Sequence, residues 1–361
     1  MTGPLRVLVV DDSAYNRRNI ADILSGSDEV EVVGKAADGE EALRLAIQLK
    51  PDVITLDLEM PRMDGFTFLR ILMARQPTPV IVVSSYSQKE NVFKALELGA
   101  IDFVAKPEQR YSFDGPIRRE ILQKVRLIRS LRPLSFRPMP QGSSALSGAT
   151  PIVRGADTGP RAQQANLRYL IGIASSTGGP SAVLELVSRI PDRFTGAIVI
   201  AQHMPDKFTK TFAERLDKKG NIRVSEAMDN DQVVARKALV CPGRNCMEVI
   251  VGAGGGIGLQ SDLRIRLFAP NKTDRYVPSA DRLFRSIATV AGSRAVGIIL
   301  TGMGDDGTKG ARAILDAGGT VIAESEETAV VYGMPGAAVR AGVVSEILPL
   351  GGIGEYLAGI V

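Results

Sequence analysis

Short apolar runs rich in valine and isoleucine alternate, over residues 1–131, with segments in which apolar residues recur at helical spacing. This alternation is typical of a parallel sheet covered by helices on both faces. The predicted strands are Leu5–Val10, Val30–Ala36, Val53–Leu56, Val80–Ser84 and Asp102–Ala105. The predicted helices are Ala14–Ser25, Glu40–Leu49, Phe66–Arg75, Asn91–Leu98 and Pro116–Leu131. We therefore predict a (βα)5 domain over residues 1–131, with a parallel sheet in the order 2-1-3-4-5.

The pattern breaks at Arg132, where a loose mixture of proline, serine, glycine and alanine begins. No sustained periodicity follows before residue 167, which predicts a flexible linker over residues 132–166. Strand-like runs then resume, with helical segments between them, at Arg168–Ala174, Ala197–Ala201, Ala295–Leu300 and Thr320–Ala323. Residues 167–361 are thus predicted to form a second domain, doubly wound and mostly parallel α/β.

Polar residues follow or end four strands of the first domain, at Asp11, Asp12, Asp57, Ser84 and Lys106. Because the carboxyl ends of parallel strands meet at one edge of a sheet, we expect these side chains to converge. Clustered carboxylates repel one another unless a hard cation neutralises them, and carboxylate oxygens suit Mg²⁺. The sequence predicts a magnesium site formed by Asp11, Asp12 and Asp57.

A phosphoryl group on Asp57 would need its charge balanced by the metal ion, the Lys106 ammonium and the Ser84 hydroxyl. Each aspartate taken alone has a plainer interpretation, as a cap of a helix or turn. The placement of all these residues at strand ends favours the phosphoacceptor site.

In the second domain, the segment Ile171–Pro180 runs from a strand through glycines into a helix, which can expose a serine hydroxyl and direct backbone N–H groups at an oxyanion. Such turns also bind phosphate or cap helices. His203, the only histidine in the chain, directly follows the next strand. A lone histidine is more often structural, but a serine nucleophile needs a base of this kind.

A third strand end, Leu300–Gly307, supplies a carboxylate from either Asp305 or Asp306. An aspartate there would hold the imidazole in its useful tautomer, and spacing alone does not choose between the two. The chain order Ser, His, Asp is no objection, because such triads are defined by geometry. The second domain is therefore predicted to be a hydrolase-type α/β domain.

The first domain resembles bacterial response-regulator receivers in four segments: Val9–Ser13, Asp57–Pro61, Met63–Gly65 and Ala105–Pro107. The resemblance implies that Asp57 accepts a phosphoryl group from a histidine kinase. It also implies that Ser84 and Phe103 act as switch residues beside Lys106. Plain core packing is an equally good interpretation of Phe103.

The second domain is similar to the catalytic domain of chemotaxis protein-glutamate methylesterases. The similar segments surround the three residues of the predicted triad and also include Cys241–Gly243, Val277–Asp281 and Gly333–Gly336. The resemblance implies that Ser176, and not Ser175, is the nucleophile, His203 the base and Asp306 the orienting acid. Backbone N–H groups near Thr177 and Met303 are the implied oxyanion stabilisers. Cys246 stands where many members have a histidine, so that histidine is expected to be dispensable for the chemistry.

The resemblance implies a phosphorylation-activated hydrolase that removes glutamate methyl esters from methyl-accepting chemoreceptors, releases methanol and also deamidates glutamines. Mg²⁺ in the receiver is the one cofactor expected, with none for the esterase. The alternative is a response regulator whose second domain binds a partner without catalysis. A transcriptional regulator is disfavoured, because the second domain is long and α/β.

Charge and composition argue against a nucleic-acid partner, membrane insertion and a disulfide framework. The net charge of +4 is mild and comes without a basic stripe interleaved with aromatics, so no nucleic-acid partner is expected. No run of about 18 apolar residues occurs, and no secretory signal opens the chain, which predicts a cytoplasmic protein without membrane insertion. The two cysteines, Cys241 and Cys246, are too few for a disulfide framework and are expected to be reduced, packed thiols.

The glycine-rich run Val251–Gly258 lacks the spacing of a dinucleotide-binding loop. A strand, Gln260–Leu267, is predicted after it where such a loop would need a helix. We therefore interpret the run as a hairpin turn.

Overall fold

A computed structural model describes residues 3–85, 89–106, 115–130, 167–252, 258–272 and 274–360. The chain divides into two compact units, residues 1–147 and 148–361. The linker predicted over residues 132–166 lies outside the described residues. None of the helices in the described ranges is long and apolar enough to cross a membrane.

The first unit is a five-stranded parallel sheet in the order β2-β1-β3-β4-β5, as predicted. Its strands are β1 Leu5–Val10, β2 Val30–Ala36, β3 Val53–Leu56, β4 Val80–Ser84 and β5 Asp102–Ala105. Its helices are α1 Ala14–Ser25, α2 Gly39–Leu49, α3 Gly65–Arg75, α4 Lys89–Glu97 and α5 Pro116–Leu127. The last helix is shorter than predicted, because Ile128–Ser130 tighten into a 3-10 turn; Leu131 is outside the described residues.

The helix caps that the structure describes in this unit come from residues other than those of the acidic cluster. Ser13 caps α1 by accepting the Asn16 N–H, and Asp64 caps α3 by accepting the Thr67 N–H. Because the caps are supplied by neighbours, Asp57 is left out of helix capping. Asp57 caps no described helix and accepts the Leu58 N–H in the turn after β3, whereas Asp11 accepts the Ser13 N–H as a turn cap does.

The second unit is a seven-stranded parallel sheet in the order β14-β13-β12-β6-β7-β9-β8, with a separate antiparallel hairpin of β10 and β11. Its strands are β6 Leu170–Ser175, β7 Ala197–Gln202, β8 Arg223–Glu226, β9 Lys237–Val240, β10 Cys246–Val251, β11 Leu263–Phe268, β12 Ala295–Ile299, β13 Thr320–Glu324 and β14 Glu346–Leu348. Its helices are α6 Gly179–Arg189, α7 Asp206–Lys219, α8 Ala280–Ala291, α9 Thr308–Asp316, α10 Met334–Arg340 and α11 Leu350–Gly359.

The chain leaves β6 towards β7, β9 and β8 on one side, and then returns to place β12 on the other side of β6. The direction of connection therefore reverses between β6 and β12, and ligands bind at such a reversal, beyond the carboxyl ends of the strands. The antiparallel pairing of β10 with β11 agrees with the predicted hairpin, although residues 253–257 lie outside the described ranges.

Helix α8 packs closely on β6 because Gly172 has no side chain. A Cβ atom there would lie 2.6 Å from Ile287 Cδ1 and 2.8 Å from Phe284 Cε1. Both apolar residues are fully buried on α8. This close packing fixes the position of α8 and its N-terminal N–H groups relative to the central strands.

Candidate functional site

Three adjacent strand ends in the second unit bring the predicted triad residues into one region. Ser176 follows β6, His203 follows β7, and Asp306 lies between β12 and α9. The Ser176 N–H donates to the Thr301 carbonyl at 3.0 Å, and the His203 N–H donates to the Ser175 carbonyl at 2.9 Å. These bonds join the three loops directly.

The imidazole of His203 contacts the carboxylate of Asp306, with 2.8 Å between Nε2 and Oδ2. The same carboxylate accepts hydrogen bonds from the backbone N–H groups of Ala280, Asp281 and Gly307, at 2.8–3.0 Å. Two of these donors open α8, where the helix dipole favours a negative charge. The carboxylate is buried, at 1% side-chain exposure. It is therefore fixed in place, and it orients the imidazole so that Nδ1 remains as the proton acceptor.

The structure distinguishes the two neighbouring serines. Ser175 is fully buried, and its hydroxyl donates to Gln202 Oε1 at 2.6 Å. Ser176 is partly exposed, and within the described ranges its hydroxyl makes no hydrogen bond, either to His203 or to another residue. Catalytic hydrogen bonds often form only in the substrate complex. Ser176 is thus the serine with an available hydroxyl.

Gln202 holds the backbone of both candidate catalytic loops. Its side-chain amide donates to the carbonyl of Ser176 at 2.9 Å and to that of His203 at 3.0 Å. Sequence reasoning did not identify this residue, although a buried amide at the end of an apolar strand was a usable indication.

The turn after Ser176 is held from the other side by Thr301. The hydroxyl of Thr301 donates to the Thr177 carbonyl at 2.8 Å and accepts the Val331 N–H at 2.9 Å. The Thr301 N–H in turn donates to Glu324 Oε2 at 2.8 Å. Burial raises the pKa of Glu324 to about 7, against the hydrogen bonds from Thr301 and Thr328 that lower it. Neither Thr301 nor Glu324 was predicted, but a carboxylate directly after the predicted strand Thr320–Ala323 could have indicated the second.

The loop that carries Met303 passes directly over the nucleophile turn. A Cβ atom on Gly302 would lie 2.7 Å from the Ser176 Cβ. Gly302 is itself held by a bond from its N–H to the Val331 carbonyl and by one from the Met334 N–H to its own carbonyl. The Met303 N–H donates to no other described residue, so it is available to an oxyanion.

Geometry also separates the two aspartates that spacing left open. Asp306 binds His203, whereas Asp305 is exposed and accepts a hydrogen bond from the Tyr276 hydroxyl at 2.8 Å. Arg275 lies 3.3 Å from the same Asp305 oxygen. Tyr276 was missed in the sequence, although it stands next to the quoted segment Val277–Asp281.

Both cysteines are buried free thiols, as expected. Burial raises the pKa of Cys246 and raises that of Cys241 further. Cys246 opens β10 and is fully enclosed. A thiol in this state is a packing group, because the nucleophilic and metal-binding form is the thiolate.

The first unit brings its predicted acidic cluster together. One oxygen from each of Asp11, Asp12 and Asp57 lies within 4.8 Å of the others. Asp11 and Asp57 are buried and Asp12 is exposed. The donors are all carboxylate oxygens, which fits a hard cation such as Mg²⁺.

Lys106 reaches both buried carboxylates, with its Nζ 2.9 Å from Asp11 Oδ2 and 2.5 Å from Asp57 Oδ2. Burial raises the pKa of Asp57, the Lys106 charge opposes the rise and the Asp11 charge adds to it. The pKa of Lys106 is lowered by burial but raised overall by Asp57 and Asp11. Ser84 is fully buried at the end of β4.

Phe103 is buried inside the first unit. Its ring meets Phe93 of α4 edge-on, with 6.4 Å between centroids, and the Lys124 ammonium lies 5.3 Å from its centroid. Lys124 is also paired with Asp102 at 2.9 Å. Core packing therefore describes the position of Phe103 here, and its switch role stays a prediction.

Comparison with known proteins matches a different protein family to each of the two units. Residues 171–357 match the CheB methylesterase family, and residues 7–114 match the response regulator receiver domain. A protein-glutamate methylesterase/protein-glutamine glutaminase from Myxococcus xanthus is 46% identical over 362 residues, which cover 99% of this chain and 97% of that protein. A protein of the same description from Anaeromyxobacter dehalogenans is 48% identical over 349 residues, covering 96% of this chain and 93% of that protein.

A solved structure agrees with the fold of the second unit. The CheB methylesterase catalytic domain of Thermotoga maritima is 36% identical, covers 54% of this chain and 98% of its own, and superposes with a TM-score of 0.50. With full-length relatives and a family match that spans more than half of the sequence, the assignment follows directly. The chain belongs to the family of receiver-linked protein-glutamate methylesterases/protein-glutamine glutaminases.

Proposed function

We propose that this protein demethylates glutamate methyl esters on methyl-accepting chemoreceptors, deamidates receptor glutamines, and is activated by phosphorylation of its receiver. The names of its full-length relatives support the reaction class. The observation that carries the mechanism is the His203–Asp306 pair beside Ser176, the serine with an available hydroxyl. The receptor as substrate and the phosphoryl control are inferred from the family and the receiver.

In the proposed first step, the Ser176 oxygen attacks the ester carbonyl carbon while His203 Nδ1 takes the hydroxyl proton. Asp306 stabilises the resulting imidazolium through Nε2. The Met303 N–H and the N–H groups of the Thr177 turn stabilise the negative oxygen. When the carbon–oxygen bond breaks, the imidazolium returns the proton and methanol leaves.

In the second step, water attacks the acyl-enzyme and His203 takes one of its protons. The serine leaves with that proton, and a glutamate carboxylate is released. An amide substrate enters the same intermediate, with ammonia as the leaving group in place of methanol. Neither step uses a cofactor.

In the receiver, we propose that Asp57 accepts a phosphoryl group from a histidine kinase. Asp11, Asp12 and Asp57 would hold Mg²⁺, which supplies positive charge to the transferring group. Lys106 and Ser84 would contact the phosphoryl oxygens. Covalent linkage keeps the receiver at high effective concentration near the hydrolase, which supports control of one by the other.

The deciding experiment compares Ser176→Ala with Ser175→Ala on receptor membranes that carry labelled methyl esters. The first variant is expected to release methanol at least about 10³-fold more slowly, because it removes the nucleophile. The second removes a hydroxyl that is already buried and bonded, so release within about tenfold of wild type is expected. Undiminished release by Ser176→Ala would rule out Ser176 as the nucleophile. No release by the wild-type protein would favour the alternative, a domain that binds a partner without catalysis.

A further inference from the structure

Tyr276 lies against the imidazole of the candidate catalytic base. Its ring is parallel to that of His203, with 4° between the planes and 5.2 Å between centroids. Tyr276 stands in the segment before α8, whose first N–H groups hold the Asp306 carboxylate. The same stretch of chain therefore supports both the base and its orienting acid.

The hydroxyl of Tyr276 anchors the ring at its far end. It donates to Asp305 Oδ1 at 2.8 Å, and the Arg275 guanidinium lies 3.3 Å from that oxygen. A Cβ atom on Gly304 would lie 2.3 Å from the hydroxyl oxygen, so only glycine permits this approach. Tyr276 thus joins the imidazole to the loop that carries both Met303 and Asp306.

A single hydrogen bond does not fix the plane of an imidazole. The bond from Nε2 to Asp306 fixes one atom, and the ring can still tilt and turn about it. A parallel aromatic face removes that freedom, because tilting would separate the stacked surfaces or bring them into collision. Catalysis is sensitive to such displacement, since shifts of about 1 Å can cost about 10²-fold in rate.

We propose that Tyr276 is a positioning residue of the esterase, which holds the His203 plane so that Nε2 faces Asp306 while Nδ1 serves Ser176. The inference rests on the proposed function and adds a residue to it. Burial and the bond to Asp305 raise the pKa of Tyr276, so its hydroxyl stays a donor at neutral pH. Stacking and anchoring are separable, because each depends on a different part of the side chain.

The test uses the full chain and compares Tyr276→Leu, Tyr276→Phe and Tyr356→Phe. Tyr276→Leu removes the aromatic face, and kcat for methanol release is expected to fall about tenfold or more with KM within about threefold. Tyr276→Phe keeps the face, and kcat within about threefold of wild type is expected. Tyr356→Phe is the matched control, because Tyr356 is a half-buried residue of α11, which packs against β13 and β14.

A second readout needs no activity. His203 is the only histidine in the chain, so isotope-labelled histidine gives one imidazole spin system. Nuclear Overhauser contacts between this imidazole and the ring at position 276 are expected in wild type and Tyr276→Phe. In Tyr276→Leu, the imidazole resonances should shift, because the aromatic ring current is gone.

Wild-type kcat in Tyr276→Leu would overturn the proposal, and so would a lowered kcat with unchanged imidazole resonances. The Ser176→Ala variant, assayed in parallel, distinguishes failure of this proposal from failure of the proposed esterase mechanism. If Ser176→Ala is inactive and Tyr276→Leu is fully active, the positioning role alone is wrong. If Ser176→Ala is active, the proposed esterase mechanism itself is wrong, and this role falls with it.

Discussion

The acidic cluster of the receiver and the candidate esterase site occupy the same place in two parallel sheets, yet they hold their buried carboxylates differently. In each sheet the site lies where the direction of strand connection reverses. Among the described residues, Asp57 accepts one backbone N–H, from Leu58, and its charge is balanced by the Lys106 ammonium. Asp306 receives three backbone N–H groups and the imidazole.

The carboxylates of the receiver are therefore stabilised mainly by an opposite charge, whereas the esterase carboxylate is stabilised mainly by hydrogen bonds. The receiver cluster concentrates negative charge, which suits the arrival of a cation and a phosphoryl group. The esterase carboxylate is held rigidly by backbone donors, which suits a residue whose task is to orient its neighbour. The strand order of the sheet determines where a site forms, and the residues on the loops determine its chemistry.

The largest effect should come from replacing the rigidly held carboxylate. Asp306→Asn is expected to lower kcat for methanol release by about 10³–10⁴-fold, because an amide no longer selects the useful imidazole tautomer. Asp305→Asn is the matched control, since the neighbouring carboxylate is exposed and contacts no imidazole; a loss within about tenfold is expected. Equal losses in the two variants would remove the distinction between them.

On the receiver side, Asp57→Asn should retain basal esterase activity and lose stimulation by a small-molecule phosphodonor with Mg²⁺. The reason is that the amide cannot accept the phosphoryl group. Asp64→Asn serves as control, because that carboxylate caps α3 and is not part of the cluster. Full stimulation of Asp57→Asn, measured as methanol release, would contradict the scheme.

A smaller effect is expected on the pH dependence of stability, and it comes from the buried Glu324. Its pKa is raised from 4.5 to about 7, with burial the first cause and the nearby charge of Glu185 a further one. Glu324 therefore ionises at a lower pH in the unfolded chain than in the folded protein. Below about pH 4.5 the carboxyl is neutral in both states and lowers the stability of neither, but the free energy of unfolding falls as the pH rises from about 4.5 towards 7. This pKa shift corresponds to a loss of roughly 3 kcal/mol in the free energy of unfolding.

Glu324→Gln stays neutral and should escape this loss. Urea unfolding is expected to give a free energy of unfolding above that of wild type by up to about 3 kcal/mol at about pH 8, and close to wild type at about pH 4.5. The exposed neighbour Glu327→Gln should show no such difference. A gain that does not depend on pH would rule out ionisation as its cause.

The sheet of the receiver was predictable to the residue, because its strands are short β-branched runs bounded by polar turns. The ends of α4 and α5 shifted, as helix termini do when loops take over their hydrogen bonds. In the second unit, four central strands were predicted, whereas β8, β9, β10 and β14 were not. Two of these, β8 and β14, are short edge strands with little apolar patterning.

The candidate triad was predictable from strand ends, but its supports were not. Adjacent Asp305 and Asp306 differ only in the direction that the folded loop gives them. Tyr276 and Glu324 act through contacts with residues far away in the sequence. A local pattern can mark Glu324 as a carboxylate at a strand end, but it does not show which residues either side chain contacts. The family resemblance chose Asp306 over Asp305, whereas only the structure identified Tyr276 and Glu324.

The central claim is that Ser176 is the acylated residue and that His203 with Asp306 makes it reactive. The most direct test treats the full chain with a fluorophosphonate and maps the modified peptide by mass spectrometry. We expect the adduct on Ser176 in wild type and none in His203→Ala, with Ser175 unmodified in both. An adduct on another residue, or none in a preparation that releases methanol, would contradict the account.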